Sequence, residues 1–398
     1  MNREDFPMLK QNIIYFDNGA TTFKPLSVIK KMEDYYFNYS ANAHRGDYDI
    51  SYKVDLEYEN TRDLVADFIN AESKEEIVFT SGTTDSINMI ASGFFANNIE
   101  SGDEIIITKS EHASNVLAWF RLAKLKGAVI KYVSLDENYH VTLEEVAKII
   151  TPKTKIISLA QITNVIGDVR PIKEICYLAH QHNIFVVVDA AQSIGHMPVD
   201  VKDLDCDFLA FSAHKMYGPT GVGVLYGKKE LLDSLEPVNL GGGMNESFDN
   251  EHEVLLKPLP TKLEAGTPNI AGVIGLGAAI RYINEIGIEK INNYESNLRE
   301  YLVEKLSKIS YIDIININST SGIVSFNIDN IFSQDVAYYL NKYSICLRAG
   351  SHCAKILKSE TGVKNTCRIS LAFYNNYEEI DKLVELLSDK EKIMAEMF

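Results

Sequence analysis

A lysine, an aspartate, a histidine, a hydroxyl-rich turn and a cysteine stand in unusual settings along this 398-residue chain. Lys215 follows the apolar run "DFLAFSA" after His214, within "SAHKMYGPTGVGVLYG". Most lysines at a strand end are simply solvated. Here the run is apolar up to Phe211, and the glycines downstream let the backbone pass close to a ligand. A lysine buried against a large cofactor can lose its proton and form a Schiff base. Asp189 ends "IFVVVDAA", the most apolar run in the chain. It either caps a helix or pairs with a cation, because an unpaired charge there is costly.

One such cation is a pyridinium nitrogen, and pyridoxal phosphate needs an acid to hold its ring proton. In "IVFTSGTTDSINMIASG" a strand runs into Ser81, Gly82, Thr83 and Thr84, and then a helix. Hydroxyls and free N–H groups at a helix start can bind an anion, although Ser and Thr also cap many helices. His112, in "KSEHASN", comes after the strand-like "DEIIIT". Alone it reads as a solvated or satisfied histidine; beside the other motifs it suits stacking on an aromatic ring.

Cys353, in "CLRAGSHCAKILK", is open to three readings: buried filler, metal ligand or nucleophile. Gly350, Ser351, His352 and Lys355 make its surroundings polar and mildly cationic, which favours a thiolate. Cys176, Cys206, Cys346 and Cys367 lie in or beside apolar stretches and suit structural roles. No CxxC pair occurs, so neither a disulfide framework nor a structural zinc site is expected.

The elements that must position these groups can be read from hydropathy. "EEIVFT", "DEIIIT", "KIISLAQ", "IFVVVDAA", "DFLAFSA" and "GVGVLYG" read as buried strands alternating with helices such as "IKEICYLAHQHN". That pattern predicts a largely parallel sheet covered on both faces, with ligands at the carboxyl ends of its strands. The glycine- and proline-rich stretch from 241 to 269 reads as one long connecting loop. Residues 270–309 have helical periodicity, "YIDIININSTSGIVSFNI" reads as two strands around a turn, and "NYEEIDKLVELLSDKEKIMAEMF" as a final amphipathic helix. A large α/β domain succeeded by a smaller α+β domain is expected.

A formal net charge of −16 argues against nucleic-acid or acidic-membrane partners. The longest uncharged apolar run, "IAGVIGLGAAI", has 11 residues, against about 20 needed to span a bilayer. The N-terminus has no signal-peptide pattern, so a cytoplasmic location is expected.

In chain order, "YFDNGATT", "SGTTDSIN", "EHASN", "TNVIGDVRP", "DAAQS", "SAHKMYGPTGVGVLYG", "EAGTPN", "RAGSHCA" and "CRISLAFYNN" span nearly the whole sequence. As a set they resemble the class V aminotransferase group of fold-type-I pyridoxal-phosphate enzymes, and within it cysteine desulfurases of the SufS/CsdA type. The resemblance implies a large domain with a mostly parallel seven-stranded sheet at 25–282. It also implies a small C-terminal domain at 283–398 carrying the cysteine loop, and an N-terminal segment, 1–24, packed on the small domain.

It further implies that Lys215 holds pyridoxal phosphate covalently, Asp189 binds the pyridine nitrogen and Gln192 the phenolic oxygen. His112 would stack on the ring, with Asn164 nearby. Thr83, Thr84, Ser212 and His214 would bind the phosphate, joined by Thr267 from the partner subunit of a homodimer. Arg368 would grip the substrate carboxylate, His44 and Arg45 would lie near the entrance, and Arg348 would open the loop bearing Cys353. The implied reaction converts L-cysteine to L-alanine and leaves a persulfide on Cys353. An acceptor protein of the SufE/SufU kind would then take the sulfur for iron–sulfur clusters or thio-cofactors. One departure is Ser351, where these enzymes usually carry a histidine. The "NESFDNEHEVLL" segment is also atypical. Alternatives are a selenocysteine lyase acting on L-selenocysteine, a class V aminotransferase or epimerase, and a non-catalytic sulfur carrier or metal-binding module using His352, Cys353 and Cys367.

Overall fold

The computed structural model of the chain describes residues 2–44, 46–362 and 364–396. Its strands, in chain order, are β1 (Ile14–Tyr15), β2 (Ile77–Thr80), β3 (Glu104–Thr108), β4 (Val129–Val133), β5 (Thr154–Ala160), β6 (Phe185–Asp189), β7 (Phe208–Ser212) and β8 (Gly223–Gly227). Next come β9 (Asn245–Phe248), β10 (Val254–Leu256), β11 (Ile312–Ile314), β12 (Ile323–Ile328), β13 (Ile345–Cys346), β14 (Arg348–Gly350) and β15 (Thr366–Ser370). Seven of them form one sheet in the order β2-β8-β7-β6-β5-β3-β4. Neighbours from β7 to β4 are parallel, whereas β8 runs antiparallel to both β2 and β7.

Side-chain alternation explains why these strands are so apolar. Val186 and Val188 enter one buried cluster and Val187 the other; Ile106 likewise opposes Ile105 and Ile107. With both faces covered, neither phase of the period-two pattern can be polar. Each such side chain contributes roughly 1.5–3 kcal/mol when fully buried. The helices Leu143–Ile149, Ile172–His180 and Ile270–Ile286 cover one face, and Ser114–Lys126, with Trp119 and Leu122, covers the other. The edge strand β4 escaped the sequence reading because Val129–Val133 is largely half-exposed and carries Lys131.

A second sheet, β11-β12-β15-β14, is antiparallel throughout. Helices Ile288–Leu306, Ser333–Asn341 and Tyr377–Leu387 bury Leu298, Leu302, Val336, Leu340, Ile380 and Leu383 against it. The N-terminal segment joins this unit: β1 pairs in parallel with β13, and Phe16 enters the same cluster.

Two expectations need correction and two need refinement. The stretch 241–269 is not an unbroken loop: it contains the antiparallel hairpin β9–β10, whose mostly exposed residues leave no hydrophobic pattern to read. Residues 270–309 form two helices, because Gly287 adopts φ 93° and ends the first. The final helix stops at Leu387, and Asp389 starts a separate one, Lys390–Glu396, by accepting the Lys392 N–H at 2.9 Å. The expected domain boundary at 282–283 falls inside the helix Ile270–Ile286; Gly287 is the nearer break.

Candidate active site

The carboxyl ends of β2, β3, β5, β6 and β7 open on one cleft of about 190 Å³. Each strand delivers a side chain there because the chain must turn where the strand ends, and the turn exposes the next few residues. β2 leads to Thr83 and Thr84, β3 to His112, β5 to Asn164, β6 to Asp189 and Gln192, and β7 to Ser212, His214 and Lys215. Arg348 and Arg368 enter from the second sheet, at β14 and β15.

Lys215 lies in the link between β7 and β8. The N-terminal segment braces this link: Thr22 N–H donates to His214 O at 3.0 Å, and Tyr217 N–H donates to Thr22 Oγ1 at 2.8 Å. Burial lowers the Lys215 ammonium to about 8, and burial raises the Asp189 carboxyl to about 6. Each shift is opposed by the other group's charge. Asp189 takes one protein hydrogen bond, from Ala191 N–H at 2.9 Å.

Burial also lowers His112 and His214, each to about 4, so both rings are neutral near pH 7. Ser114 N–H donates to His112 Nδ1 at 3.2 Å, which leaves the neutral ring's proton on Nε2. Thr83 directs both its N–H and its hydroxyl toward Ser212 Oγ at 2.8 Å, and Thr84 Oγ1 lies 2.7 Å from Ser114 Oγ. These groups surround a helix start whose N-cap residue, Gly82, has no side chain of its own to cap it.

Arg368 is buried, donating to Asp17 Oδ1 at 2.6 Å and to Asn164 O at 3.0 Å, while its Nε and Asn164 Oδ1 have no protein partner. Gly19 makes this closeness possible. A Cβ there would stand 3.2–3.3 Å from Gln192 Oε1, Ser370 Oγ and Arg368 Cζ.

Cys353 is exposed, with Sγ 3.8 Å from Arg348 Nη2. His352 and Cys353 both hold left-handed backbone, φ 49° and 61°, a conformation that needs outside support. Two hydrogen bonds supply it. Asn164 Nδ2 donates to His352 O at 2.7 Å, and Ala113 N–H donates to Cys353 O at 2.9 Å. His352 is itself an anchor: Nε2 lies 2.9 Å from Thr366 Oγ1 and 3.0 Å from Thr366 O, and burial lowers it to about 3. Ser351 contributes its carbonyl, which accepts the Ala354 N–H at 2.8 Å, a role any residue could fill. Cys176, Cys206 and Cys367 are buried, and burial pushes their thiols up. Cys346 is half-buried and shifts the same way for the same reason. Cys367 Sγ turns to Ser333 O rather than toward His352 or Cys353.

Three expected site residues, Cys353, Thr267 and His44, lie outside the cleft lining. Thr267 is exposed and receives a hydrogen bond from Asn42 Nδ2 at 3.3 Å. His44 sits beside Asp55 and Glu59. Arg45 lies outside the described residues. The sequence reading gave no role to Gly19, Ser114, Asp17, Glu111 or Arg170. All five lie within the quoted runs "YFDNGATT", "EHASN" and "TNVIGDVRP", but nothing in the residue type of the first three marks them out. Glu111 and Arg170 are buried charges, identifiable only once their partners are seen.

The residues present fit pyridoxal phosphate. A buried amine, an acid with spare acceptor capacity, a neutral imidazole and a cup of hydroxyls with free N–H groups match its aldehyde, ring nitrogen, ring face and phosphate. The aminotransferase class-V family profile matches residues 14–383. A relative named probable cysteine desulfurase, from Halalkalibacterium halodurans, is 42% identical over 398 residues, covering 99% of this chain and 98% of the relative. The apo structure of a cysteine desulfurase from Thermococcus onnurineus NA1 superposes with a TM-score of 0.94 at 39% identity, covering 99% of this chain and 97% of that one. The Escherichia coli cysteine desulfurase CsdA, in its S-sulfonic acid form, gives 0.92 at 35% identity, again over 99% and 97%.

Proposed function

This chain belongs to the aminotransferase class-V family, and within it we propose that it is a pyridoxal-phosphate-dependent cysteine desulfurase carrying sulfur on Cys353. The observation that carries this reading is the exposed thiol held 3.8 Å from Arg348, which lines the same cleft as the buried Lys215–Asp189 pair. An aminotransferase needs no such thiol. Incubating the protein with L-cysteine and a reductant, then assaying alanine and sulfide, tests it. Formation of a keto acid in place of alanine would reject the proposal.

When bound, pyridoxal phosphate supplies an electron sink that makes the Cα–H of an amino acid acidic. Lys215 would hold it and then take the Cα proton; Asp189 would keep the ring nitrogen protonated, with His112 and Gln192 as further ring contacts. Thr83, Thr84, Ser212 and His214 would take the phosphate. Arg368 binds the substrate carboxylate, with Asn164 beside it, and Arg348 stands between cleft and thiol. The Cys353 thiolate forms an S–S bond to the substrate sulfur as the Cβ–S bond breaks. The carbon fragment keeps that electron pair, gains a proton and leaves as alanine, and Cys353 retains the persulfide.

Attachment requires the neutral amine. Because Lys215 titrates near 8 and not at the ordinary 10.5, attachment of pyridoxal phosphate to cofactor-free protein should accelerate as pH rises through about 8. Stopped-flow absorbance checks this, and a midpoint near 10.5 would contradict it. Arg368→Lys keeps the charge but loses the planar fork. A charge-assisted hydrogen bond contributes about 1.5–3 kcal/mol, so KM for L-cysteine should rise about 10-fold or more while kcat changes little. Steady-state kinetics separates the two constants.

Thr267, exposed outside its own cleft, supports a homodimer in which it reaches the phosphate bound by a second copy. Leu240, Phe248, Val254 and Leu255 are exposed and give that dimer apolar surface to bury. His44 would sit near the entrance of the completed site. The persulfide passes to an acceptor protein of the SufE/SufU kind. Among the described residues no helix is long and apolar enough to cross a membrane. The large unit begins near residue 25 and ends at Gly287, with the small unit after it and residues 1–24 packed against the latter.

A further inference from the structure

Sulfur transfer depends on where the thiol stands, and two loops decide that. The loop after β3 grips Cys353 O through Ala113 N–H, and the loop after β5 grips His352 O through Asn164 Nδ2. The group that sets the spacing between these loops is buried between them. The Arg170 side chain is fully enclosed, and each of its five N–H groups has an acceptor. Nε donates to Asp168 Oδ2 at 3.2 Å. Nη1 donates to Glu111 Oε1 and to Ala160 O at 3.2 Å. Nη2 donates to Thr108 Oγ1 at 2.9 Å and Ser110 Oγ at 2.8 Å. Glu111 closes the tie by accepting Ala160 N–H at 2.9 Å. Arg170, Glu111 and Asp168 do not line the cleft.

We propose that Arg170 is a positioning residue for sulfur transfer: it fixes the His112–Ala113 loop against the Asn164 loop and so places Cys353, without touching substrate, cofactor or thiol. This rests on the desulfurase reading. A planar guanidinium can bridge both loops at once, whereas an ammonium offers three donors from one point. His112 is tethered separately, through Ser114 to Thr84, so the cofactor side of the cleft has its own support.

The holoenzyme variant Arg170→Lys tests this with two rates. Exchange of the Cα hydrogen of L-alanine in D2O, monitored by NMR, needs Lys215 and the cofactor but no thiol. Single-turnover persulfide formation on Cys353, monitored by mass spectrometry, needs the thiol in place. Misplacement by about 1 Å can cost about 100-fold, so persulfide formation should fall about 10-fold or more while exchange stays within about 3-fold of wild type. Ser110→Ala removes one acceptor of the five and should show the same split at about 2- to 3-fold, which keeps the test decisive if the lysine variant does not fold. Equal loss of both rates, or loss of neither, overturns the proposal. A wild-type protein that exchanges alanine but makes no persulfide would instead overturn the desulfurase reading on which it rests.

Discussion

Purified Lys215→Ala protein should lack the visible absorbance of the wild type, and its desulfuration of L-cysteine should fall about 10,000-fold or more. The size of the effect comes from the two roles that the proposed function rests on one amine. Covalent attachment keeps the cofactor in place, and proton transfer at Cα alone contributes about 100- to 10,000-fold. The imidazoles that line the cleft, His112 and His214, cannot form a Schiff base in its place. An absorbance spectrum and a sulfide assay on the same sample check both halves. A variant that keeps the colour and half its activity would show that another group holds the cofactor.

Cys353→Ser should separate cofactor from sulfur. Its thiol stands outside the cup formed by Thr83, Thr84, Ser212 and His214, and the loop's supports are backbone carbonyls that serine leaves unchanged. The visible spectrum should therefore match the wild type. A serine hydroxyl is a far weaker nucleophile than a thiolate at neutral pH, so persulfide formation should vanish and alanine production should drop about 100-fold or more. Mass spectrometry of the protein after L-cysteine, beside alanine quantification, reads both. Alanine production at the native rate would remove Cys353 from the reaction.

The legible part of this protein is the part written in short range. Strand runs such as "IFVVVDAA" declare themselves because both faces are buried, and the residues just beyond them gather at one edge by topology alone. Lys215, Asp189, His112 and Thr84 were readable for that reason. β4 was not, since an edge strand mixes Lys131 with apolar neighbours. Neither was the β9–β10 hairpin, whose side chains face outward. The break at Ser388 depended on one aspartate choosing a backbone N–H three residues ahead. Arg170 was hidden most completely: as a residue in "GDVRP" it resembles any charged loop residue, and its meaning lies in acceptors up to 62 positions away.

The Asp17–Arg368 pair joins residues 351 positions apart, and Thr22 braces the Lys215 link from the same segment. During folding, Asp17 and its neighbours therefore wait for partners more than three hundred positions further along. Until β15 has emerged and docked, the floor beneath the vitamin's binding place is missing one wall. Completion of the cleft is thereby a long-range event that no local stretch of the chain can achieve by itself.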